Sequence, residues 1–463
     1  MAILKFSKKS TKEPKGHDFN RQHHWNFISD KEGTSGLQCR WTDKSLSAFD
    51  VLPTTKNVRL AFERLGVTVR YNDFTRSIEI SGNIKPETEG ELNDARLAVT
   101  LSNLQDIFGM KITSGDLNTK LNVISRQNRY DPLKNYHLSL KWDGTERAEA
   151  IWIDYANAED TPLNRAYGRL FTTSMVARCF YPGIKVDEVI TLIGEQGGGK
   201  SSLAKDLTPI GPSAFSDQVV IGADGKQIIE QTRGKALLEH SEDWRGRYSE
   251  PQRKACLSTT ADRARGAYQR HVDEVPRRFM FIATTNNEFP IMDPTGARRE
   301  WLVQTKGQFK HLKPGIRDQI YAEVTSKYIL PVLQSGMPED AQRREVREFL
   351  VLPKELWADQ AKIAESYRHP PDLITEVKFT LKMLQWPVEV SMIELLDAMF
   401  FKNGVASAPK SANQKVGEAM KWLGYRGKRK NVKGGAKVMC YCWDKQVSPE
   451  EYHDSVKLDS TFG

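Results

Sequence analysis

Residues 192–207 read LIGEQGGGKSSLAKDL, and this stretch decides the fold that the sequence predicts. It fits the pattern G-x-x-x-x-G-K-[ST], in which glycines let backbone N–H groups turn inward around phosphate oxygens. An apolar run precedes the stretch and a helix-forming run follows it, so the helix N-terminus adds its positive dipole end. The residues expected to contact a nucleotide are Gly194, Gln196, Gly197, Gly198, Gly199, Lys200, Ser201 and Ser202.

Two side chains of this loop have separate expected roles. Lys200 can reach the β- and γ-phosphates, and the hydroxyl of Ser201 can hold Mg²⁺. The predicted cofactors are therefore ATP and Mg²⁺. The alternative is a glycine-rich turn with a surface lysine, which a buried strand before it and a helix after it disfavour.

Three short apolar runs predict the sheet around this loop: VITLIG at 189–194, KALLEH at 235–240 and FMFIATT at 279–285. Runs of this length suit the strands of a parallel sheet, which are buried on both faces. The predicted fold class is α/β, a P-loop NTPase core with a parallel sheet. The predicted domains are a basic tail (1–50), a mostly helical N-terminal or oligomerisation domain (51–184), the ATPase core (185–335), a helical lid or linker (336–375) and a winged-helix-like DNA-binding domain (376–463).

Polar side chains stand at the ends of the second and third runs. Glu239 and Glu242 occur where the second run ends, and a carboxylate there can order Mg²⁺ or polarise the attacking water. Asn286 follows the third run and can orient that water or sense the γ-phosphate. An exposed acidic strand end and simple turn chemistry are the corresponding alternatives.

Arg298 and Arg299 follow a glycine turn within DPTGARREW. Paired arginines after an ATPase strand can act on the nucleotide of a neighbouring subunit, which requires a ring or a dimer. The alternative is a surface ion pair.

The charge balance predicts a polyanionic partner, because the chain of 463 residues carries a formal net charge of +9. Two segments concentrate cations beside aromatic or glycine residues, as suits a grip on a phosphate backbone. A solvated loop and a winged helix used only for assembly are the alternatives. The residues expected to bind DNA are Arg263, Arg265, Tyr268, Arg270, His271, Lys428, Arg429, Lys430 and Lys433.

The sequence also predicts a cytoplasmic location without a membrane partner. No apolar run approaches the roughly 18 residues that a membrane-spanning helix needs. The N-terminal segment MAILKFSKKSTKEPKG has neither the apolar region nor the cleavage site of a secretory signal.

Several stretches, in order, resemble the virulence-associated protein E family of ATPases, whose members are similar to superfamily-three helicases of phages and mobile elements. The resemblance extends over about residues 55–446. It rests on the P-loop with its lead-in and on the stretches LKWDGTERAE (140–149), LLEHSE (237–242), RRFMFIATTN (277–286), DPTGARREW (293–301) and MKWLGYRGKR (420–429).

The resemblance implies an AAA+-like core that works as a homo-hexameric ring translocating on one DNA strand. It implies that Asn286 is the sensor and that Arg298 or Arg299 is the finger from an adjacent subunit. The segment 262–278 would be the hairpin that lines the central channel. His240 and Ser241 separate the two carboxylates of the acidic motif, so the catalytic base stays open between Glu239 and Glu242.

The preferred hypothesis is an ATP-dependent, ring-forming DNA helicase that unwinds DNA in the replication of a phage or mobile element. Many members of the family carry an N-terminal primase domain, whereas only a short polar tail precedes residue 57 here, so a separate primase is a possible partner. One alternative is an origin-binding initiator or loader that remodels DNA without processive unwinding. Another is a regulatory ATPase whose ring binds a protein.

Overall fold

The computed structural model describes residues 26–27, 37–41, 49–82, 89–218, 225–240, 250–264, 272–287, 299–367, 373–400, 412–431, 437–443, 445 and 448–450. The strands are β1 (Asn26–Phe27), β2 (Gln38–Trp41), β3 (Phe49–Val51), β4 (Val67–Asn72), β5 (Ser77–Gly82), β6 (Gly90–Glu91), β7 (Arg129–Tyr130), β8 (Val189–Ile193), β9 (Phe215–Ser216), β10 (Leu237–His240), β11 (Ala261–Ala264), β12 (Asp273–Pro276), β13 (Met280–Thr285), β14 (Glu300–Gln304), β15 (Glu389–Ser391), β16 (Arg426–Asn431) and β17 (Lys437–Cys442).

The α-helices are α1 (Thr55–Leu65), α2 (Asp94–Phe108), α3 (Ser114–Gln127), α4 (Pro132–Ser139), α5 (Ile151–Ala156), α6 (Pro162–Phe180), α7 (Lys200–Leu207), α8 (Gly225–Gln231), α9 (Glu250–Ser258), α10 (Pro314–Val324), α11 (Leu330–Leu333), α12 (Glu339–Glu348), α13 (Trp357–Ser366), α14 (Ile374–Met383), α15 (Met392–Phe400) and α16 (Ala412–Trp422). Short 3₁₀ turns occupy Pro212–Ala214 and Lys354–Leu356, and a π-helical turn occupies Thr325–Ile329.

The chain divides into two units. The first comprises the described residues of Met1–Lys141, Thr208–Ser216 and Ile229–Ala236. Its helix α1 begins where the Thr54 side chain accepts a hydrogen bond from the Asn57 N–H, and it ends at Gly66 in the left-handed region. After α1, β4 and β5 form an antiparallel hairpin within a four-stranded sheet of order β6-β5-β4-β7. The region predicted as mostly helical therefore also contains a sheet.

The second unit comprises the described residues of Trp142–Leu207, Asp217–Ile228 and Leu237–Gly463. It contains parallel strands in the order β14-β8-β13-β10. The three predicted apolar runs supply β8, β10 and β13, and every residue of these strands is buried. The predicted α/β class with a parallel sheet is thus confirmed. Because all four strands run the same way, their carboxyl ends share one edge, where the loop after β8 lies.

Helix α6 packs against this sheet. It covers Pro162–Phe180 and is buried along nearly its whole length. The ring of Tyr167 on α6 stacks on Trp301 of β14, with 5.5 Å between ring centroids. The guanidinium of Arg178, near the end of α6, donates to the backbone oxygens of Phe279 and Val186. Because Arg178 is fully buried, its pKa is lowered to about 10.

The C-terminal part of the second unit has helices α14, α15 and α16 and an antiparallel sheet of order β15-β17-β16. The helices and the sheet enclose an apolar core that includes Leu381, Leu395, Met420 and Tyr441. The basic segment after residue 425 forms the edge strand β16 of this sheet. Across the described residues of the whole chain, no helix combines the length and apolar character needed to cross a membrane.

Candidate active site

The loop between β8 and α7 has the backbone that its glycines predict. Gly197 and Gly199 have φ angles of 79° and 96°, which residues other than glycine rarely adopt. Lys200 is the first residue of α7, so the helix N-terminus follows the glycines directly. A β-carbon on Gly194 would lie 2.2 Å from Thr305 Oγ1, which excludes any larger residue there without rearrangement.

The segment 305–309, which follows β14, holds this loop from one side, and the sequence did not predict it. The N–H and the hydroxyl of Thr305 each donate to the Ile193 carbonyl at 2.8 Å. The N–H of Phe309 donates to the Gly198 carbonyl, also at 2.8 Å. A β-carbon on Gly199 would lie 3.3 Å from the Phe309 side chain. The sequence could not reveal this contact, because it depends on β14 lying beside β8.

The ammonium group of Lys200 lies within the loop. Its Nζ donates to the carbonyl of Gly194 at 2.8 Å and to that of Glu195 at 2.6 Å. Lys200 is buried, so its charge faces the loop rather than bulk water. An ammonium that already bonds neutral carbonyls can exchange them for phosphate oxygens, which are stronger acceptors because they are charged.

Ser201, Glu239 and Thr284 come together at the carboxyl edge of the sheet. The Ser201 hydroxyl donates to Glu239 Oε1 at 2.6 Å, and the Thr284 hydroxyl donates to the same oxygen at 2.7 Å. Glu239 is only 3% exposed. A buried carboxylate needs such donors, because desolvation otherwise favours its protonated form. Two of the predicted residues, from β10 and α7, therefore form one site.

Thr284 is the member of this group whose role the sequence did not reveal. Strand β13 lies between β8 and β10, so the acidic strand is not the immediate neighbour of the strand that leads into the loop. Glu239 is opposite Ile282 in the register, and Thr284 lies two residues further on the same face. Thr284, on the strand between β8 and β10, thus donates to the same Glu239 oxygen as Ser201 does from α7.

The neighbour of Glu239 is a neutral imidazole. His240 is buried and packs on Phe281, with 4.9 Å between ring centroids. Burial lowers the pKa of His240 to about 4, so the side chain carries no charge near pH 7. His240 therefore adds no positive charge beside the Glu239 carboxylate.

Asn286 is exposed directly after β13, at the same edge of the sheet. Thr285, the last residue of β13, is opposite Ile193, and its carbonyl accepts a hydrogen bond from the Gly194 N–H at 3.1 Å. Asn286 is thereby next to the first residue of the loop. Glu242, the second predicted carboxylate, lies outside the described residues.

Arg299 lies at the opposite edge of the sheet. It immediately precedes β14, whose first residue, Glu300, is opposite Val189 at the start of β8. The loop begins after the last residue of β8, so about 15 Å of strand separates Arg299 from it. Arg299 Nε is buried and has no hydrogen-bond partner among the residues that the structure describes. Arg298 lies outside those residues.

The predicted DNA-contacting segment 262–278 contains an antiparallel hairpin. Strands β11 and β12 pair from Ala261 with Pro276 to Ala264 with Asp273. Arg263 is exposed on β11, and its Nη2 lies 2.7 Å from Glu274 Oε2 on β12. The other predicted DNA contacts of this segment lie outside the described residues, namely Arg265, Tyr268, Arg270 and His271.

The C-terminal cations lie on an exposed strand edge. Lys428, Arg429 and Lys430 are exposed on β16, which among the described strands pairs only with β17. Lys430 Nζ is 2.5 Å from Glu389 Oε2 on β15, so one of the three cations is neutralised within the sheet. Lys433 lies outside the described residues.

The donor set at Ser201 and Glu239 fits Mg²⁺ rather than a metal held by protein alone. Among the described residues there is no group of three or more His, Cys, Asp or Glu side chains that could hold a metal ion. Mg²⁺ is commonly held by one or two protein oxygens, with waters and nucleotide phosphates completing its coordination. The hydroxyl and the carboxylate at 2.6 Å supply such a pair of oxygens.

Comparison with known proteins finds one family model that matches the part of the chain carrying this site. Residues 138–366 match the virulence-associated protein E-like domain. This range contains the parallel sheet, the loop and the hairpin. No curated protein matches the chain.

Solved structures give a more remote likeness. The A form apo structure of the NrS-1 C terminal region has 11% identity and a TM-score of 0.41, covering 84% of this chain and 99% of that one. A second A form apo structure of that region (305–718) has 12% identity and a TM-score of 0.43, with the same coverage. Identity and similarity at this level have no bearing on what this chain does.

Proposed function

We propose that this chain is an ATP-dependent, ring-forming DNA helicase that unwinds DNA during replication of a phage or mobile genetic element. The observation that carries the proposal is the hydrogen bond between the Ser201 hydroxyl and the Glu239 carboxylate, directly behind a glycine loop and a lysine. This grouping is what Mg²⁺-dependent hydrolysis of a nucleoside triphosphate requires. The match to the virulence-associated protein E-like domain supports the same conclusion.

Binding of ATP is assigned to Gly194, Gln196, Gly197, Gly198, Gly199, Lys200, Ser201 and Ser202. The backbone N–H groups and the N-terminus of α7 cradle the phosphates, and Lys200 exchanges the loop carbonyls for β- and γ-phosphate oxygens. Gln196 is exposed, and we assign it to the nucleotide as well.

Ser201 and Glu239 would hold Mg²⁺, which would supply positive charge to the phosphates during hydrolysis. Because Glu239 already bonds Ser201 and Thr284, we assign it to the metal side of the site. Glu242, three residues beyond, is then the proposed base that accepts the proton of the attacking water. Asn286, beside the start of the loop, orients that water.

The position of Arg299 supports a ring. A group at the opposite edge of the sheet cannot reach the phosphates of its own chain, but it can face those of a neighbour in a closed assembly. We propose that Arg299 or Arg298 stabilises the transition state in the adjacent subunit, and that the assembly is a homo-hexamer.

DNA is proposed to contact the β11–β12 hairpin in the channel and β16 in the C-terminal domain. Arg263 and the cations of β16 are exposed, as contacts with phosphate require. The helices and antiparallel sheet of residues 376–463 are interpreted as a winged helix that holds duplex DNA. A separate primase and a cytoplasmic location complete the proposal.

Strand displacement on 3′- and 5′-tailed duplexes tests the proposal. We expect wild-type protein to unwind one of the two tailed substrates with ATP, and Lys200→Ala to lose unwinding and about 100-fold in hydrolysis. Lys205→Ala, an exposed lysine on the same helix, is the matched control and should retain both activities.

Two outcomes would contradict this function. Equal unwinding by wild type and Lys200→Ala would rule out the ATP-driven mechanism. DNA-stimulated hydrolysis without displacement of either duplex would favour the initiator or loader that remodels DNA without processive unwinding.

A further inference from the structure

The carboxylate of Glu300 lies where three elements meet. Glu300 is the first residue of β14 and is 2% exposed. Its Oε2 accepts a hydrogen bond from the Thr191 hydroxyl on β8 at 2.9 Å, and its Oε1 is paired with the guanidinium of Arg253 on α9. Glu300 therefore links α9 to β8, which leads into the glycine loop, and to β14, which follows Arg299.

The same helix is fastened to the base of the β11–β12 hairpin. Arg277 directly follows β12, and its Nη1 donates to the Cys256 carbonyl on α9. Its Nε and Nη2 each lie 2.7 Å from an oxygen of Asp262 on β11. One buried guanidinium thus joins α9 to both strands of the hairpin.

The backbone of Arg277 is held as firmly as its side chain. Its N–H donates to the Thr260 carbonyl at 2.8 Å, and its carbonyl accepts from the Gly183 N–H at 2.9 Å. Arg277 and Asp262 are both buried, so water screens their attraction little. The base of the hairpin therefore has little freedom to move independently of α9.

Arg253 and Cys256 are three residues apart on α9, so they occupy neighbouring positions on one face of a rigid helix. A series of contacts then runs from Glu300, next to Arg299, to Arg253, along the backbone of α9 to Cys256, and from there to Arg277 at the hairpin. A displacement at the edge of the sheet would therefore be transmitted through these contacts to the hairpin.

We infer that α9 couples the sheet edge bearing Arg299 to the DNA-contacting hairpin, with Arg253 and Arg277 as positioning residues. The inference rests on the proposed function, because it takes the hairpin as a DNA contact and Arg299 as a group that acts on the neighbouring subunit. Both side chains are buried, so we assign them no contact with nucleotide or DNA. Their role is to hold the hairpin to α9, so that it moves together with the edge of the sheet that bears Arg299.

The double variant Arg253→Met/Glu300→Gln tests the coupling. Removing one partner would leave an uncompensated buried charge, whereas removing both avoids it. We expect hydrolysis without DNA and affinity for single-stranded DNA to be unchanged, and stimulation of hydrolysis by DNA to fall about 5-fold or more. A stimulation equal to that of wild type would overturn the inference. The exposed pair Arg165 and Asp160 provides the control, Arg165→Met/Asp160→Asn, which should leave all three quantities unchanged.

Hydrogen exchange separates this inference from the proposed function. Amides of β11 and β12 should exchange faster in the double variant than in wild type, while those of β8 and β13 should not. Unchanged protection of the hairpin would refute the positioning role. If wild-type protein shows no DNA-stimulated hydrolysis, the proposed function fails and the exchange measurement still decides the role of α9. Should the double variant not fold, Arg277→Lys, which keeps the charge but loses the two-bond contact with Asp262, gives the same readout.

Discussion

The hydroxyl of Ser201 donates to Oε1 of Glu239 at 2.6 Å and so joins the first turn of α7 to β10. The two strands β8 and β10 are not neighbours, since β13 lies between them. The contact therefore brings together groups that are 38 residues apart in sequence and on non-adjacent strands. It is the feature from which the assignment of the metal site follows.

Glu239→Gln and Glu242→Gln should have different effects. If Glu239 serves Mg²⁺, its replacement should raise the Mg²⁺ concentration needed for half-maximal hydrolysis, because a neutral amide is a weaker ligand. Glu242→Gln should leave that concentration unchanged and lower kcat by about 100-fold or more, as loss of a general base does. Hydrolysis measured against Mg²⁺ concentration separates the two. The opposite pattern would exchange their roles.

Ser201→Ala should reduce the enhancement of nucleotide binding by Mg²⁺, whereas Ser202→Ala should leave that enhancement unchanged. The two serines are adjacent on the first turn of α7 and both are exposed, but Ser201 is the one bonded to Glu239. Titration of a fluorescent ATP analogue with and without Mg²⁺ measures the effect. Equal losses for the two variants would mean that the helix terminus, and not the Ser201 hydroxyl, determines the Mg²⁺ dependence.

Mixing Arg299→Ala with Lys200→Ala should restore part of the hydrolysis that each variant lacks alone. A subunit with an intact loop can then face a neighbour with an intact arginine, at about a quarter of the interfaces of randomly mixed rings. The hydrolysis rate of a premixed, reassembled sample is the measurement. No recovery on mixing would contradict action across a subunit interface by Arg299 and leave Arg298 as the candidate.

Gly168→Ala should destabilise the protein, whereas Gly115→Ala should not. A β-carbon at Gly168 of α6 would lie 2.5 Å from the Ala148 carbonyl oxygen and 2.9 Å from that of Glu149. Such crowding costs about 1–3 kcal/mol. Gly115, in α3, has nothing within 4 Å of the same position. Denaturant unfolding of both variants tests the difference, and equal stability would show that α6 can shift to make room.

The strands of the core were predictable from the sequence because their signal is local. The runs predicted at 189–194, 235–240 and 279–285 are found at 189–193, 237–240 and 280–285. A parallel strand is buried on both faces, so its apolar character is continuous and visible without knowledge of its neighbours. The end of helix α1 also has a local cause, because Gly66 adopts a positive φ there.

The order of the strands and the contacts across them could not be predicted. Thr284 lies within the predicted run 279–285, but its contact with Glu239 depends on β13 lying between β8 and β10. Glu300 follows Arg298 and Arg299, for which a surface ion pair was the alternative. Its carboxylate is instead buried and paired with Arg253. Both contacts are set by packing between segments distant in sequence, which local pattern does not encode.

The hydrogen bonds from the segment 305–309 to the glycine loop also determine the direction of a backbone N–H in that loop. A trans peptide unit points its carbonyl and its N–H in opposite directions, so a Gly198 carbonyl held by Phe309 turns the Gly199 N–H to the far side. The donor that would meet a phosphate is thereby oriented during folding rather than on binding. Preorganisation of this kind lowers the entropic penalty of ligand capture. Loosening that segment should therefore weaken the affinity for nucleotide before it slows the chemical step.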